Sequence, residues 1–567
     1  MLSPTSNRLP AHHGWRHDRS VLTVVTRSFL TVALAAAVCG CQPDRLGATR
    51  GYVLISLDTL SAEHMSLHGY HRLTTPFLAR LAERSMVFDN AFVQLPGTLP
   101  SHMSMMTGLY PDQHGMIHTD GVLSERIATL PEIFHAQGFR TAGFTEGGYV
   151  SGRYGFSRGF EQYDDSFGDF WRTKPDVFDS GLGFIESVAA DEPFFLFVHT
   201  YAVHAPYTPP EECRDLFWPD EAPAVDPPLG PNLREHNEGL AVIDRATADY
   251  YAALYDAEIR CLDTRLETFF AALEEMGIAD DVTVVVTSDH GEEFLDHGMM
   301  VHRQIYVENT HVPLMLVHPA FSRGRRIPGI VQSIDIAPTL YDIAGLEPPL
   351  GMSGRSLLPV IEGRVDQVRD FAVSQSSTGD RGLVAPARDR LFHLLSFHPD
   401  FDPPDKPFGA ASFLRLRVPR GKLLFKATAC PEPTTVSLTV DGVELREVPL
   451  DTGVWSQVEA EVPSGAGQAL LELLADSCQP TPQSLEHGSR RCLSFRVRGL
   501  PVRRFELYDL VADRRETIDL SADDEDLTSR LAVQLRELRW EAVAPTHDVP
   551  IDDELQNQLR ALGYLVE

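Results

Sequence analysis

Positive charge is in short supply. The chain sets 49 lysines and arginines against 80 aspartates and glutamates, a formal net charge of -31 over 567 residues. Such a surface repels polyphosphate backbones, so no nucleic acid partner is expected, and the charge by itself names no substrate. Cysteine is scarce too, at 7, and its spacing matches no zinc-binding pattern. The absence of internal repeats and low-complexity tracts excludes a solenoid or a long disordered arm. The apolar run at residues 29–38 is too short to cross a bilayer as an ordinary helix. What is present, 43% hydrophobic and 23% charged content, suits a globular enzyme with one large core and material for a smaller second domain.

Arg8, Arg16, Arg19 and Arg27 precede that apolar run, the pattern of a targeting segment. The run ends in Val38-Cys39-Gly40-Cys41, which resembles a bacterial lipoprotein processing site with Cys41 as the acylated first residue. A plain secretory signal is the other reading. Residues 1–41 are therefore expected to be a leader. The protein is expected to be exported to the bacterial cell envelope, in the periplasm or on the outer surface, and held to a membrane by a lipid on Cys41. Beyond the leader, Cys213, Cys261, Cys430, Cys478 and Cys492 meet an oxidising compartment and leave one thiol over. Cys478 with Cys492, or either with Cys430, can staple a small β domain; Cys213 with Cys261 is a further pairing.

From Gly51 short apolar runs alternate with helical stretches, which predicts an α/β domain with a mostly parallel sheet flanked by helices. Tyr52-Val53-Leu54-Ile55-Ser56-Leu57 ends at Asp58, Phe194-Phe195-Leu196-Phe197-Val198 ends at His199, and Val282-Thr283-Val284-Val285-Val286-Thr287 ends just before Asp289. The carboxyl ends of strands in open α/β sheets are where ligands bind, so these segments are expected to converge on one site. After Pro349 the pattern changes. Residues 414–498 alternate apolar and polar residues in short runs, with Asp441-Gly442 as a hairpin signal, and read as an inserted β-sandwich. The expected organisation is a catalytic domain over 50–395, the insert over 410–500, and 501–567 as the returning part of the catalytic domain.

Asp58 at a strand end suits a hard divalent cation, although a turn or helix cap uses aspartate in the same way. Asp289-His290-Gly291-Glu292 sets a carboxylate beside an imidazole on a glycine-assisted turn. Thr98-Leu99-Pro100-Ser101-His102 precedes a helix expected over 103–109, and proline near its start places Thr98 where free backbone amides point outward. A hydroxyl there, beside a cation, can lose its proton and attack phosphorus or sulfur. Capping the helix is its plainer role.

Several stretches together resemble the hallmarks of the sulfatase family. They are Leu54-Ile55-Ser56-Leu57-Asp58-Thr59-Leu60, Thr74-Thr75-Pro76, Thr98-Leu99-Pro100-Ser101-His102 continuing to Thr107-Gly108-Leu109-Tyr110-Pro111, and Thr287-Ser288-Asp289-His290-Gly291-Glu292. Tyr255-Asp256-Ala257-Glu258-Ile259 with Asp263, Asp335-Ile336-Ala337-Pro338-Thr339-Leu340, and the tail from Leu559 to Leu565 are similar as well. The resemblance implies an alkaline-phosphatase-like fold and a metal at the strand ends. It also implies roles for His204 and His302, which match histidines that hold the transferred group or protonate the leaving oxygen; His199 and His297 rank behind them.

The site departs from the family pattern. Thr98 stands where sulfatases carry the cysteine or serine that becomes formylglycine, and threonine cannot form that aldehyde. His102 replaces an arginine and is assigned to substrate binding, Thr59 replaces a second aspartate, His290 replaces an asparagine ligand, and the active-site lysine has no clear counterpart. These changes resemble the threonine-nucleophile branch of the superfamily, which includes nucleotide phosphodiesterases and phosphoglycerol transferases. The expectation is one divalent metal on Asp58, Asp289, His290 and Thr98. Imidazole shifts the preference toward zinc or manganese, with magnesium and calcium remaining open. The reaction expected is hydrolysis of a sulfuric or phosphoric ester on a small molecule, glycan or lipid. Phosphoglycerol or phosphoethanolamine transfer and a catalytically silent glycan-binding lipoprotein are the alternatives.

Overall fold

The structure, a computed structural model, describes residues 46–117, 121–166, 176–217, 243–377 and 379–396, the strands between 413 and 498, residues 505–543, 547–548 and 553–562, and Leu233, His236 and Asn237. The expected leader with Cys41, and Cys430, Cys478 and Cys492, lie outside the described residues.

The main sheet is built from β1 (Gly51–Leu57), β2 (Ser85–Phe92), β3 (Arg140–Phe144), β4 (Gln162–Asp164), β5 (Phe194–Thr200), β6 (Val282–Thr287), β7 (His311–Val312), β8 (Leu314–Val317) and β9 (Arg325–Gln332). It is nine-stranded, in the order β7-β2-β8-β6-β1-β5-β3-β4, with β9 alongside β2. Central β1 lies parallel to β5 and to β6, while β8 runs antiparallel between β6 and β2. The apolar run of β1, interrupted only by Ser56 near its end, goes with burial of every residue along it. Its two faces meet different partners. Val53, Ile55 and Leu57 share a core with Leu254, Leu262, Leu266 and Phe269 of the helix Arg245–Glu275. On the opposite face Tyr52 packs on Phe134, whose ring stacks in turn on Tyr341. Among the described residues no helix is long and apolar enough to cross a membrane.

A second, antiparallel sheet joins Ala372–Gln375, Arg381–Ala387, Arg390–Ser396 and, from far along the chain, Phe505–Asp509. Leu527, Leu531 and Leu535 of the helix Glu525–Glu537 form an apolar stripe that packs against Leu383, Leu394 and Leu507. Between Ser396 and Phe505 the strands form a four-stranded and a three-stranded antiparallel sheet. Val436, Leu438 and Val440 are buried on alternate positions, as are Val458, Ala460 and Val462. Val440 pairs with Val443, on either side of Asp441-Gly442.

Two boundaries differ from expectation. The second apolar run extends to Thr200, so His199 lies within β5 rather than after it. The helix that carries Thr98 spans Thr98–Thr107, starting earlier than the 103–109 stretch and ending in Gly108 at φ 66°. Pro100 is compatible because the amides of the first turn have no partner inside the helix. Cys213 and Cys261 form a disulfide across 48 residues of sequence.

Candidate active site

The carboxyl ends of β1 and β6 and the start of the helix Thr98–Thr107 meet in one buried place. After β1 the chain turns sharply: Asp58 donates its amide to Thr200 O at 3.0 Å, and Thr59 takes the left-handed φ of 58°. That costly conformation is held from several sides. Thr59 N donates to Asp289 Oδ1 (3.1 Å), its hydroxyl donates to Val203 O (2.9 Å), and Tyr255 Oη donates to Thr59 O (2.6 Å). The stretch around Tyr255 thus supports the turn without entering the site. Asp263 on the same helix accepts the amides of Phe77 and Leu78.

Asp289 accepts from Thr59 N and from His290 N through Oδ1, and its Oδ2 is buried without a hydrogen-bond partner. Asp58 Oδ1 is in the same condition. The Gly291 carbonyl accepts from His290 Nδ1 at 3.0 Å, so the proton sits on Nδ1 and Nε2 carries the lone pair. That nitrogen lies 3.2 Å from Asp289 Oδ2 and 3.5 Å from Thr98 Oγ1. Only glycine fits at 291, because a Cβ there would stand 1.9 Å from the Glu308 carbonyl oxygen.

Burial, and then the charges of Asp289 and Glu292, push the Asp58 carboxyl well above its ordinary range. Burial would raise Asp289 as well, but His290, His102 and His199 hold it low. Buried carboxylate oxygens without donors, beside an imidazole lone pair, fit a divalent cation: Asp58, Asp289 and His290 each place a ligand atom within 4.8 Å of the others.

Thr98, 2% exposed, opens its helix behind Gly97, which offers no side-chain cap. The plainer alternative of a capping threonine gives way to a threonine inside the first turn. His102, expected to bind substrate, lies fully buried next to Thr98. Its Nδ1 donates to Thr98 O and its Nε2 accepts from Ser56 Oγ, both at 2.8 Å, so both nitrogens are engaged within the protein.

His204 and His302 do reach the site, with their rings 5.4 Å apart and His302 4.3 Å from His290. His204 Nδ1 donates to Ala205 O (2.5 Å) and His302 Nδ1 bonds Glu292 Oε1 (2.9 Å). The Nδ1 of each ring is thus engaged within the protein. Burial, then the charge of His302, lowers His204 to about 4; burial, then His290, lowers His302 well below the usual range. Burial lifts Glu292 to about 7. His297 lies elsewhere, stacked 3.6 Å from Tyr306 and bonded to Glu308 and the Glu516 carbonyl.

His199, ranked behind His204 and His302 in the sequence, also reaches the site. Its Nε2 meets Asp58 Oδ2 at 2.9 Å. The signal lies in the register: Ser56 stands level with His199 on one side and Thr287 on the other, three polar residues at the same height near the strand ends.

A family model described as Sulfatase matches residues 50–346. Among curated proteins, arylsulfatase K of Rattus norvegicus is 24% identical over 390 residues, 60% of this chain and 68% of that protein. N-acetylglucosamine-6-O-sulfatase of Bacteroides thetaiotaomicron is 22% identical over 447 residues, 63% and 80% of the two chains. Among solved structures, a protein in complex with its substrate D-glucosamine-2-N,6-O-disulfate superposes with TM-score 0.57 at 17% identity, covering 87% of this chain and 97% of its own. Phosphonate monoester hydrolase of Agrobacterium radiobacter gives TM-score 0.56 at 18% identity over 86% and 95%. With the fold, the clustered ligands and the family match in agreement, the chain belongs to the sulfatase family and is an ester hydrolase on the alkaline-phosphatase-like fold.

Proposed function

We propose that Thr98 is the nucleophile of a metal-dependent hydrolysis of sulfuric or phosphoric esters. The supporting observation is the meeting of the Thr98 hydroxyl with the unpartnered oxygens of Asp58 and Asp289 and the lone-pair nitrogen of His290. Asp58, Asp289, His290 and Thr98 would hold a divalent cation, whose positive charge would make the threonine hydroxyl easier to deprotonate; the imidazole suits zinc or manganese more than calcium or magnesium.

Thr98 Oγ1 forms the new bond to phosphorus or sulfur as the bond to the leaving alcohol breaks. His102 keeps the first helical turn in place through the Thr98 carbonyl. The leaving oxygen takes a proton from His204 or His302, whose Nε2 atoms first acquire it; the negative charge of a bound ester raises both imidazoles from the low values that burial gives them. Attack of water on the phosphothreonine at phosphorus then restores Thr98. A sulfothreonine has no second hydroxyl to expel sulfate, so the chemistry favours phosphate esters, while the names of the relatives point to sulfated sugars. The setting we assign is the bacterial envelope, on the strength of the leader sequence and Cys41.

The test compares the mature protein with Thr98→Ala on matched aryl sulfate, phosphate monoester and phosphodiester substrates, with Zn²⁺, Mn²⁺, Mg²⁺ or Ca²⁺. Release that needs both Thr98 and metal supports the proposal, and the preferred ester decides between sulfur and phosphorus. Thr98→Ala turning over any ester at the wild-type rate would remove threonine from the reaction.

A further inference from the structure

We infer that His199 is a positioning residue that sets how Asp58 addresses the cation, an inference that rests on Asp58 being a metal ligand. The geometry is specific. His199 is fully buried at the end of β5, and its Nε2 lies 2.9 Å from Asp58 Oδ2. Its Nδ1 is buried with no hydrogen-bond partner, so the single proton of the neutral ring belongs on Nε2, where an acceptor waits. The N–H therefore donates to Oδ2. Asp58 Oδ1 is left as the oxygen without a donor, and the aspartate is committed to binding through one oxygen rather than two.

The ring has little freedom to choose otherwise. It stands edge-on to Tyr201 at 4.6 Å and 85°, and to His102 at 4.8 Å and 79°. Tyr201 is itself fixed, since its hydroxyl accepts the Tyr149 amide at 3.1 Å and its own amide donates to Glu146 at 2.6 Å. Ligand carboxylates held by a further hydrogen bond are oriented before the cation arrives, and losing such a partner typically weakens metal binding about 10–100-fold.

Asp58, His102 and His199 also place one donor atom each within 4.8 Å of one another, which raises the possibility of a second cation there. The hydrogen bonds argue against it. His102 uses its nitrogens on Ser56 and on the Thr98 carbonyl, and the Asp58–His199 contact is itself a hydrogen bond. A cation in that place has to displace all of them.

The test uses metal binding rather than turnover. Wild type, His199→Gln and His199→Leu are stripped with chelator and titrated with Zn²⁺ and Mn²⁺ by calorimetry, with bound metal counted by elemental analysis. Glutamine can place an N–H near Oδ2, whereas leucine fills the space without a donor. The expected result is one cation per chain throughout, with Kd for His199→Leu raised about 10–100-fold and that for His199→Gln within about 3-fold of wild type. Melting temperatures of the stripped proteins identify any variant that fails to fold, and kcat of His199→Leu recovers at saturating metal. Equal affinity in wild type and a folded His199→Leu overturns the inference while leaving Asp58 as a ligand. Two cations in wild type and one in His199→Leu overturn it in favour of His199 as a ligand. No metal bound by wild type overturns the underlying reading as well.

Discussion

Thr98, proposed above as the nucleophile, differs from alanine by its hydroxyl and from serine by one methyl group, and its surroundings make both differences measurable. Its backbone is secured by the His102 side chain on its carbonyl, so a side-chain change leaves the helix start intact. Thr98→Ala is expected to lower kcat/KM by at least about 10³-fold with little change in melting temperature. Thr98→Ser is expected to retain measurable turnover, checked on the same aryl esters. Asp58, Thr98, Asp289 and His290 were legible in the sequence because strand ends and a proline-marked helix start announce themselves locally. The hydrogen-bond partners of His199 and His102 were not. The first, already at a strand end in the sequence, gains its partner Asp58 only from the three-dimensional fold, and the second depends on which atoms its two nitrogens reach.

Elements were placed more reliably than their ends. The helix start was misplaced because Pro100 suggests a boundary, whereas a first turn tolerates proline. The supports between elements were hidden altogether. Thr75 makes no side-chain capping bond to the helix Pro76–Leu81; the carboxylate of Asp263, from the helix Arg245–Glu275, takes the amides of Phe77 and Leu78 at 2.7 and 2.9 Å. Asp263→Ala is expected to destabilise the fold by about 1–2 kcal/mol, read from denaturant midpoints, with Asp263→Asn recovering part of the loss. The Cys213–Cys261 disulfide is a similar long-range tie, named by sequence as one pairing among several and selected by the three-dimensional approach of the short helix Glu211–Arg214 to that same helix.

Over the whole molecule, the last part of the chain is tied into the catalytic body through Glu516. Its carboxylate accepts from Val307 N at 2.9 Å and from His393 Nδ1 at 2.5 Å, while its carbonyl accepts from His297 Nε2 at 3.1 Å. Glu293 and Glu308 add acidity to this region. Burial, and then the charge of Glu308, raises the Glu293 carboxyl to about 8 from an ordinary 4.5. The folded chain thus retains a proton that the unfolded chain releases. This contribution is complete below pH 4.5 and is lost as the pH rises through 8. Urea midpoints measured across that window are expected to fall with pH in wild type and to fall less steeply in Glu293→Gln.

The join at the second sheet carries a consequence of another kind. Ser396 and Phe505 are paired neighbours on adjacent strands, so the chain leaves and re-enters the catalytic body at points one strand spacing apart, about 5 Å. A segment attached in this way is a graft on a host whose own hydrogen bonding closes without it. Replacing residues 397–504 by a short turn leaves the host sheet its register, and a different module can take the same doorway. Descent can therefore exchange what the enzyme carries at this point while the chemistry around Asp58 and Thr98 stays as it is.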